Sequence, residues 1–546
     1  MHGIFTRENR EIHESPEADG SLGTRRQGYG RDPAMNDSGK SDRPVVPTKR
    51  PNKASDEVRQ ASRRDSAEAV EGRGLAKGNT NRQNALRAQD REGAPSALDR
   101  VRQVARKDRK VRFTTLFHHV TIDRLRQAFQ GLNPKASAGA DGVTFAQYAM
   151  DLEANLQELH SRLQRGAYRA RPSRRVYIPK ADGRLRPLGI AALEDKVVQR
   201  AVVEVLNAVF ETAFLGFSHG FRPGRSAHDA LDALAVGISR MKVNWVLDAD
   251  IRGFFDAIDH EWLMKFVEHR IADRRILRLI RKWLSAGVME NGKWTQMQEG
   301  TPQGATISPL LANIYLHFVF DLWVQRWRKQ PNRGQVIVVR YADDFIVGFE
   351  SRSGGEQFLR DLRERLAKFS LELHPDKTRL VEFGREAGAR RKARGERKPE
   401  TFDFLGFTHI CGETIRTKKF ILVRHTSRNR MRRKLKELKG ELRQRRHLPI
   451  PEQGKWLGQV VGGYFNYFAV PTNSDALDAF LHQTSRHWLR ALRSRSQKDR
   501  TPWSRIERLS LRWLPKPKIL HPYPHDRFDA KRATRRSSTQ GRSRVR

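Results

Sequence analysis

The stretch Gly334–Phe349, GQVIVVRYADDFIVGF, sets two adjacent acids, Asp343 and Asp344, between apolar β-branched runs. Neighbouring side chains of a strand point to opposite faces, and carboxylates side by side repel. Both difficulties are relieved if Tyr341 to Phe345 is the tight turn of a β-hairpin, with VIVVR leading in and FIVGF leading out. Alternation is suspended at a turn, so both acids can reach one edge of a sheet. A divalent cation shared with a third acid would then offset their repulsion, and Mg²⁺ takes carboxylate oxygens together with substrate phosphates. The segment NWVLDADIRGFFDAIDH offers Asp248 and Asp250, two residues apart on one face. Asp250 ends the apolar run, where a strand would emerge beside the turn, and is the expected third ligand. Three carboxylates holding two Mg²⁺ ions suit nucleotidyl transfer: one ion activates an attacking 3′-hydroxyl and the other stabilises the leaving pyrophosphate. The remaining contribution would be positioning and charge neutralisation. A Tyr-x-Asp-Asp string alone is a weak signal, and on its own reads as a hairpin with solvated acids.

The elements that would position these acids are legible in outline. VTIDRLRQAFQGL reads as a helix and RRVYIPK as a short strand. DKVVQRAVVEVLNAVFETAF has the apolar spacing of a long, mostly buried helix. VNWVLDADI is a strand, and GATISPLLANIYLHFVFDLWVQRW a long helix after a Pro-Gln-Gly turn. Helices and strands interleave without regular β-α-β alternation, so the expected class is α+β. Strand signals stop beyond about 425. There Met431, Leu435, Leu438 and Leu442 mark an amphipathic helix with a basic outer face, and further helices are expected over EQGKWLGQVVGGYFNYF and DAFLHQTSRHWLRALRSR.

The chain of 546 residues carries 105 Lys+Arg against 62 Asp+Glu, a formal net charge of +43 spread over several segments. A polyanion partner follows, with nucleic acid the first expectation. One cysteine, Cys411, excludes an internal disulfide and a Cys-rich zinc module, which fits a reducing compartment. No apolar run approaches the roughly 18–20 residues that span a bilayer, so no membrane partner is expected. The start lacks the apolar region of a secretory signal. Before Phe113 the only aromatics are Phe5 and Tyr29, and residues 1–95 are expected to be disordered. Folding is expected to begin near SALDRVRQVARKDRK, with Ser96 as a helix cap.

Ordered blocks of the sequence resemble the reverse transcriptases encoded by bacterial group II introns, the intron-encoded maturases. KASAGADGVTF (135–145) resembles the N-terminal extension, RRVYIPKADGRLRPLGIAALEDKVVQRAV (174–202) the fingers, and SHGFRPGRSAHDAL (218–231) follows. LDADIRGFFDAIDH resembles the palm strand, and GTPQGATISPLLANIYLH (300–317) with YADDF (341–345) completes the polymerase core. LELHPDKTRLVEF, FDFLGF and GGYFNYF (462–468) follow in the family's order. The match covers roughly 100–525, departing where Ala305 stands in place of a usual glycine.

The resemblance implies a right-hand polymerase. Its parts would be an N-terminal extension and fingers (96–240), a palm with an antiparallel sheet (241–420), a helical thumb or maturase region (421–525) and a basic tail (526–546). It makes Asp250, Asp343 and Asp344 the metal-binding catalytic acids, and Lys180 and Arg186 contacts of an incoming dNTP. Lys180 and Arg186 flank ADG, a hairpin turn, so both could reach one anion; they could also be solvated loop charges. Phe255 would screen against a ribose 2′-hydroxyl, or pack in the core beside Phe254. Gln303 would lie near primer and nucleotide. Lys377 would lie near the triphosphate, or cap the following strand. Arg222, Arg225 and His228, around Gly220 and Gly224, make a basic loop suited to phosphates, or a turn with solvated arginines. The thumb helix, with Arg432, Arg433 and Lys434, would grip template–primer or intron RNA. Tyr464, Phe465, Tyr467 and Phe468 read as core.

The expected activity is RNA-directed DNA polymerisation, coupled to a maturase role in splicing and mobility. The partners would be group II intron RNA, an RNA template with DNA primer, target DNA and dNTPs, in a bacterial cytoplasm in association with nucleoid and ribonucleoprotein. One cysteine cannot build the endonuclease many relatives carry, so no endonuclease domain is expected and priming would come from elsewhere. Two alternatives are an RNA-binding splicing cofactor with a vestigial polymerase site, and a polymerase domesticated for defence or spacer acquisition.

Overall fold

A computed structural model describes residues 96–530 except 180–184, 291–292, 296–298, 302–303 and 415. The extension expected over 1–95, the tail from 531 onward, and Lys180 and Gln303 lie outside the described residues. The first described helix, Ala97–Lys107, begins as expected: the Ser96 hydroxyl accepts from the Asp99 amide, and Asp99 returns the bond in a capping box.

The structure is α+β, and the strands among the described residues lie in three sheets. β1 (Ser173–Pro179) and β2 (Leu185–Ile190) form an antiparallel hairpin. β3 (Trp245–Ala249) comes next, followed by β4 (Val288–Glu290) and β5 (Lys293–Thr295). β6 (Val336–Tyr341), β7 (Asp344–Phe349) and β8 (Arg379–Glu382) follow. β9 (Phe402–Phe404), β10 (Phe407–Glu413) and β11 (Phe420–Thr426) end the strand-bearing part. The sheet orders are β2-β1-β4-β5, β6-β7-β3-β8 and β11-β10-β9. In the second, central sheet every pairing is antiparallel. No helix among the described residues is long and apolar enough to cross a membrane.

The helix Ala227–Arg240 packs against β6 of the central sheet. Leu193–Phe210 buries Val197, Val198, Val202, Val205 and Val209 on nearly every side. Valine is a mediocre helix former, so burial rather than propensity sustains this helix. The expected long helix after the Pro-Gln-Gly turn is present as Ser308–Leu316 and Leu322–Trp327, joined by a π-helical turn at His317–Asp321. Beyond β11 come Arg428–Gln444, Ile450–Phe468, Ser474–Arg493 and Trp503–Trp513. Leu438 and Leu442 are buried as their spacing requires. Tyr464, Phe465 and Phe468 lie in the core, with Tyr464 stacked on Phe480 at 3.6 Å.

Candidate active site

The hairpin closes as the adjacent acids demand. Tyr341 pairs with Asp344, leaving Ala342 and Asp343 as a two-residue turn. Ala342 has φ +59°, the position of a two-residue hairpin where glycine is usual. Holding a non-glycine residue there costs about 1–3 kcal/mol and requires surroundings that enforce it.

β3 runs antiparallel to β7, with Ala249 opposite Phe345. One residue further, Asp250 emerges level with the turn. Asp250 and Asp343 then lie close enough to act on each other. Burial raises the Asp343 carboxyl above its ordinary value; its own backbone bond lowers it, Asp250 raises it further, and Arg186 and Lys377 pull it down. Thus Arg186, on β2, and Lys377, far along the chain, both bring positive charge to one carboxylate. Lys377 Nζ contacts Asp250 Oδ2 at 2.5 Å. The single turn Pro375–Lys377 is fixed there because the His374 amide donates to the Asp250 carbonyl at 2.8 Å. Of the two readings of Lys377, its ammonium enters the site.

The expected trio of acids is met as a pair with a neighbour. Among the described residues no three Asp, Glu, His or Cys side chains gather tightly enough to hold a metal ion. Asp344 is exposed, and its charge acts on Tyr341 and Arg430. The reason is register: Asp344 already closes the ladder with Tyr341, so alternation is suspended only at Ala342 and Asp343. Asp248, the other acid on the β3 face, pairs with Arg379 at 3.6 Å. Burial pushes its carboxyl up to about 6 against the pull of that arginine. Two carboxylates near enough to interact, Asp250 and Asp343, offer the oxygen donors that a hard divalent ion takes, with the cationic Arg186 and Lys377 acting on the same charge.

Phe254 and Phe255 divide their tasks. Phe254 is buried and Phe255 half-buried, their rings 5.4 Å apart. The pair sits in a single turn after Gly253, with the Thr301 amide donating to the Phe255 carbonyl at 2.8 Å. Phe254 takes the inward place, which leaves Phe255 nearer the surface.

The basic loop requires a correction. Arg222 is buried: its guanidinium binds Glu211 at 2.6 Å and donates to the carbonyls of Leu215 (2.7 Å) and Ser218 (2.6 Å). It is not placed to meet a phosphate. Arg225 donates to the Gly216 carbonyl at 2.6 Å, and His228 is buried, its ring centre 4.0 Å from that of His521 with the planes tilted by 31°. The physical cause is that Ser218 bridges to Arg340 of β6, which turns the loop's inner side chains into the protein. A Cβ on Gly220 would stand 2.3 Å from the Ala342 nitrogen, so the loop backbone lies directly against the Ala342–Asp343 turn. On the helix Arg428–Gln444, Arg432 is exposed, while Arg433 and Lys434 approach Glu437 at 3.8 and 3.3 Å.

Sequence reasoning missed Arg340, Asp321 and Asn313, all buried beside this turn. The one available signal was the arginine itself, a charge inside the apolar run VIVVRY.

Residues 178–409 match the family described as reverse transcriptase (RNA-dependent DNA polymerase). The chain is 35% identical over 274 residues to Protein YkfC of Escherichia coli (strain K12), covering 44% of this chain and 71% of that protein. It is 36% identical over 242 residues to group II intron-encoded protein LtrA of Lactococcus lactis subsp. cremoris, covering 43% of this chain and 40% of LtrA. It is 30% identical over 91 residues to the mitochondrial nuclear intron maturase 1 of Arabidopsis thaliana, 17% of this chain and 12% of that one. With paired acids at a hairpin turn, cations converging on them and these relatives, the chain belongs to the group II intron-encoded reverse transcriptase and maturase family.

Proposed function

We propose that the protein extends a DNA primer along an RNA template from dNTPs, and binds group II intron RNA to promote splicing and mobility into target DNA. The observation that carries the polymerase reading is the convergence of Asp250 and Asp343, from separate strands, with Arg186 and Lys377 acting on the same charge. In this reading the parts form a right hand: fingers over 96–240, palm over 241–420 and thumb over 421–525. β11 pairs with β10 along its whole length, so in this reading the palm–thumb boundary moves from 420/421 to Thr426/Ser427.

Asp250 and Asp343, with Asp344 alongside, would hold two Mg²⁺ ions. These ions would supply activation of the primer hydroxyl and charge stabilisation on the phosphates. The chain's own residues do the rest. Asp250 and Asp343 set the position of charge at the sheet edge. Arg186 and Lys377 offer guanidinium and ammonium donors to an incoming triphosphate, and Lys180 and Gln303 would join them. Phe255 walls the sugar side, admitting deoxyribose. Arg225, Arg432, Arg433 and Lys434 would add to the grip on nucleic acid backbones.

The test is primer extension on an RNA template with Mg²⁺. Asp343→Ala is expected to abolish extension, while affinity for RNA persists. That affinity should fall steeply with salt, about 10³–10⁵-fold between 50 and 200 mM if six to ten phosphates are neutralised. Undiminished extension by the variant would remove Asp343 from the reaction.

A further inference from the structure

Arg340, the penultimate residue of β6, is completely buried. Such a guanidinium is stable in a protein interior only when its donors are met. All five N–H directions are engaged. Nε and Nη2 bind the two oxygens of Asp321 at 2.7 and 2.6 Å. Nη2 also reaches Ser218 Oγ at 2.8 Å. Nη1 donates to Asn313 Oδ1 at 3.0 Å and to the Ala342 carbonyl at 2.9 Å. Asn313 in turn donates its amide to the Gly220 carbonyl at 2.8 Å.

Each partner arrives from a different element. Asp321, itself fully buried, is delivered by the π-helical turn His317–Asp321, a kind of insertion that re-aims a side chain within a helix. Asn313 comes from the helix before that turn. Ser218 and Gly220 come from the loop whose backbone presses on Ala342. The loop is also laced to β6: the Arg340 amide donates to the Phe217 carbonyl at 2.9 Å, and the His219 amide to the Arg340 carbonyl at 2.8 Å. All of this converges on Ala342, the left-handed residue immediately before Asp343.

We propose that Arg340 is a positioning residue for templated synthesis: by holding the Ala342 carbonyl and the Gly220 loop together, it sets the angle at which Asp343 meets Asp250. The inference rests on the polymerase reading above. Lysine could keep the ion pair with Asp321, but it cannot reproduce the five-donor fork that also reaches Asn313 and Ala342.

The experiment is steady-state primer extension by the full chain, Arg340→Lys against wild type. It reads kcat, KM for dNTP, the Mg²⁺ concentration for half-maximal rate, and primer–template affinity. We expect kcat to fall about 10²-fold, as for a misplacement of about 1 Å. The Mg²⁺ midpoint should rise, with dNTP KM and primer–template affinity within about threefold of wild type. Wild-type kcat, or a loss confined to KM, overturns the proposal. Should Arg340→Lys fail to fold, Asn313→Ala decides, since it keeps the Arg340–Asp321 pair and the Arg340–Ala342 bond and removes the bridge from Arg340 through Asn313 to Gly220. Here a kcat loss of about tenfold at unchanged affinity is expected. Unchanged kcat overturns the proposal, and so does loss of the fold in this variant as well, because the network would then serve stability alone. Wild-type protein that extends no primer would refute the polymerase reading instead.

Discussion

The behaviour of single side chains depends on what they face once the chain is folded. His409 shows this most plainly. Its ring is fully buried, stacked 4.8 Å from Phe402, and burial holds its pKa down to about 3, with Arg424 adding to the effect. An unfolded histidine titrates near 6.5. The folded pKa is depressed, so His409 contributes its full stability above about 6.5 and loses it progressively as pH falls towards 3. Asp195 and Asp248, raised to about 6 by burial, act in the opposite sense between about 4 and 6. Comparing wild type with His409→Phe isolates the histidine. Between pH 7 and pH 5 wild type should lose about 2 kcal/mol more than the variant, measured by urea unfolding at the two pH values. Equal losses would show that His409 is protonated without penalty.

At the scale of elements, the Ala342–Asp343 turn is shaped from outside. A two-residue hairpin fixes Asp343, yet the loop Ser218–Gly220, the π-turned helix and β6 decide where the hairpin points. Gly220→Ala tests this contact directly, since the added methyl would collide with backbone rather than with a yielding side chain. Stability should drop by about 1–3 kcal/mol, and extension should drop with it even at temperatures where the variant is fully folded. Normal extension by the folded variant would mean that the loop can retreat without moving Asp343. Both the hairpin and the amphipathic helices were legible in the sequence, because period-2 and period-3.6 patterns follow from local geometry. The π turn was not, since it inserts one residue into a pattern that reads as continuous helix.

Across the whole molecule, the segment after the helix Trp503–Trp513 returns to the helix Ala227–Arg240, which packs on β6. Arg527 Nε pairs with Asp232, which also meets Arg424 at 3.2 Å, and Arg240 binds Asp529 at 2.6 Å. The Leu520 amide donates to the Ala469 carbonyl at 2.9 Å. Asp232 and Arg424 are both about 1% exposed, so removing one leaves a buried charge behind. Asp232→Ala should therefore cost about 3–5 kcal/mol, seen as an earlier midpoint in chemical unfolding. A change below about 0.5 kcal/mol would mean water reaches Arg424 in place of the carboxylate.

The amino-acid sequence by itself determined the chemistry on offer: two adjacent acids at a hairpin, a third on a neighbouring strand, basic residues around them, and a surplus of positive charge. These follow from residue type and short-range periodicity, which survive without knowledge of distant neighbours. Tertiary structure alone decided which charges face the site. Arg222 looked available for phosphate and is turned inward by the pairing of its loop with β6, whereas Arg340, passed over in the sequence, lies at the centre of the network behind Asp343. Lys377 reaches Asp250 across 127 positions of sequence. The direction in which a long cationic side chain turns is set by the acceptors that packing brings to it, and those acceptors come from parts of the chain that local pattern does not connect.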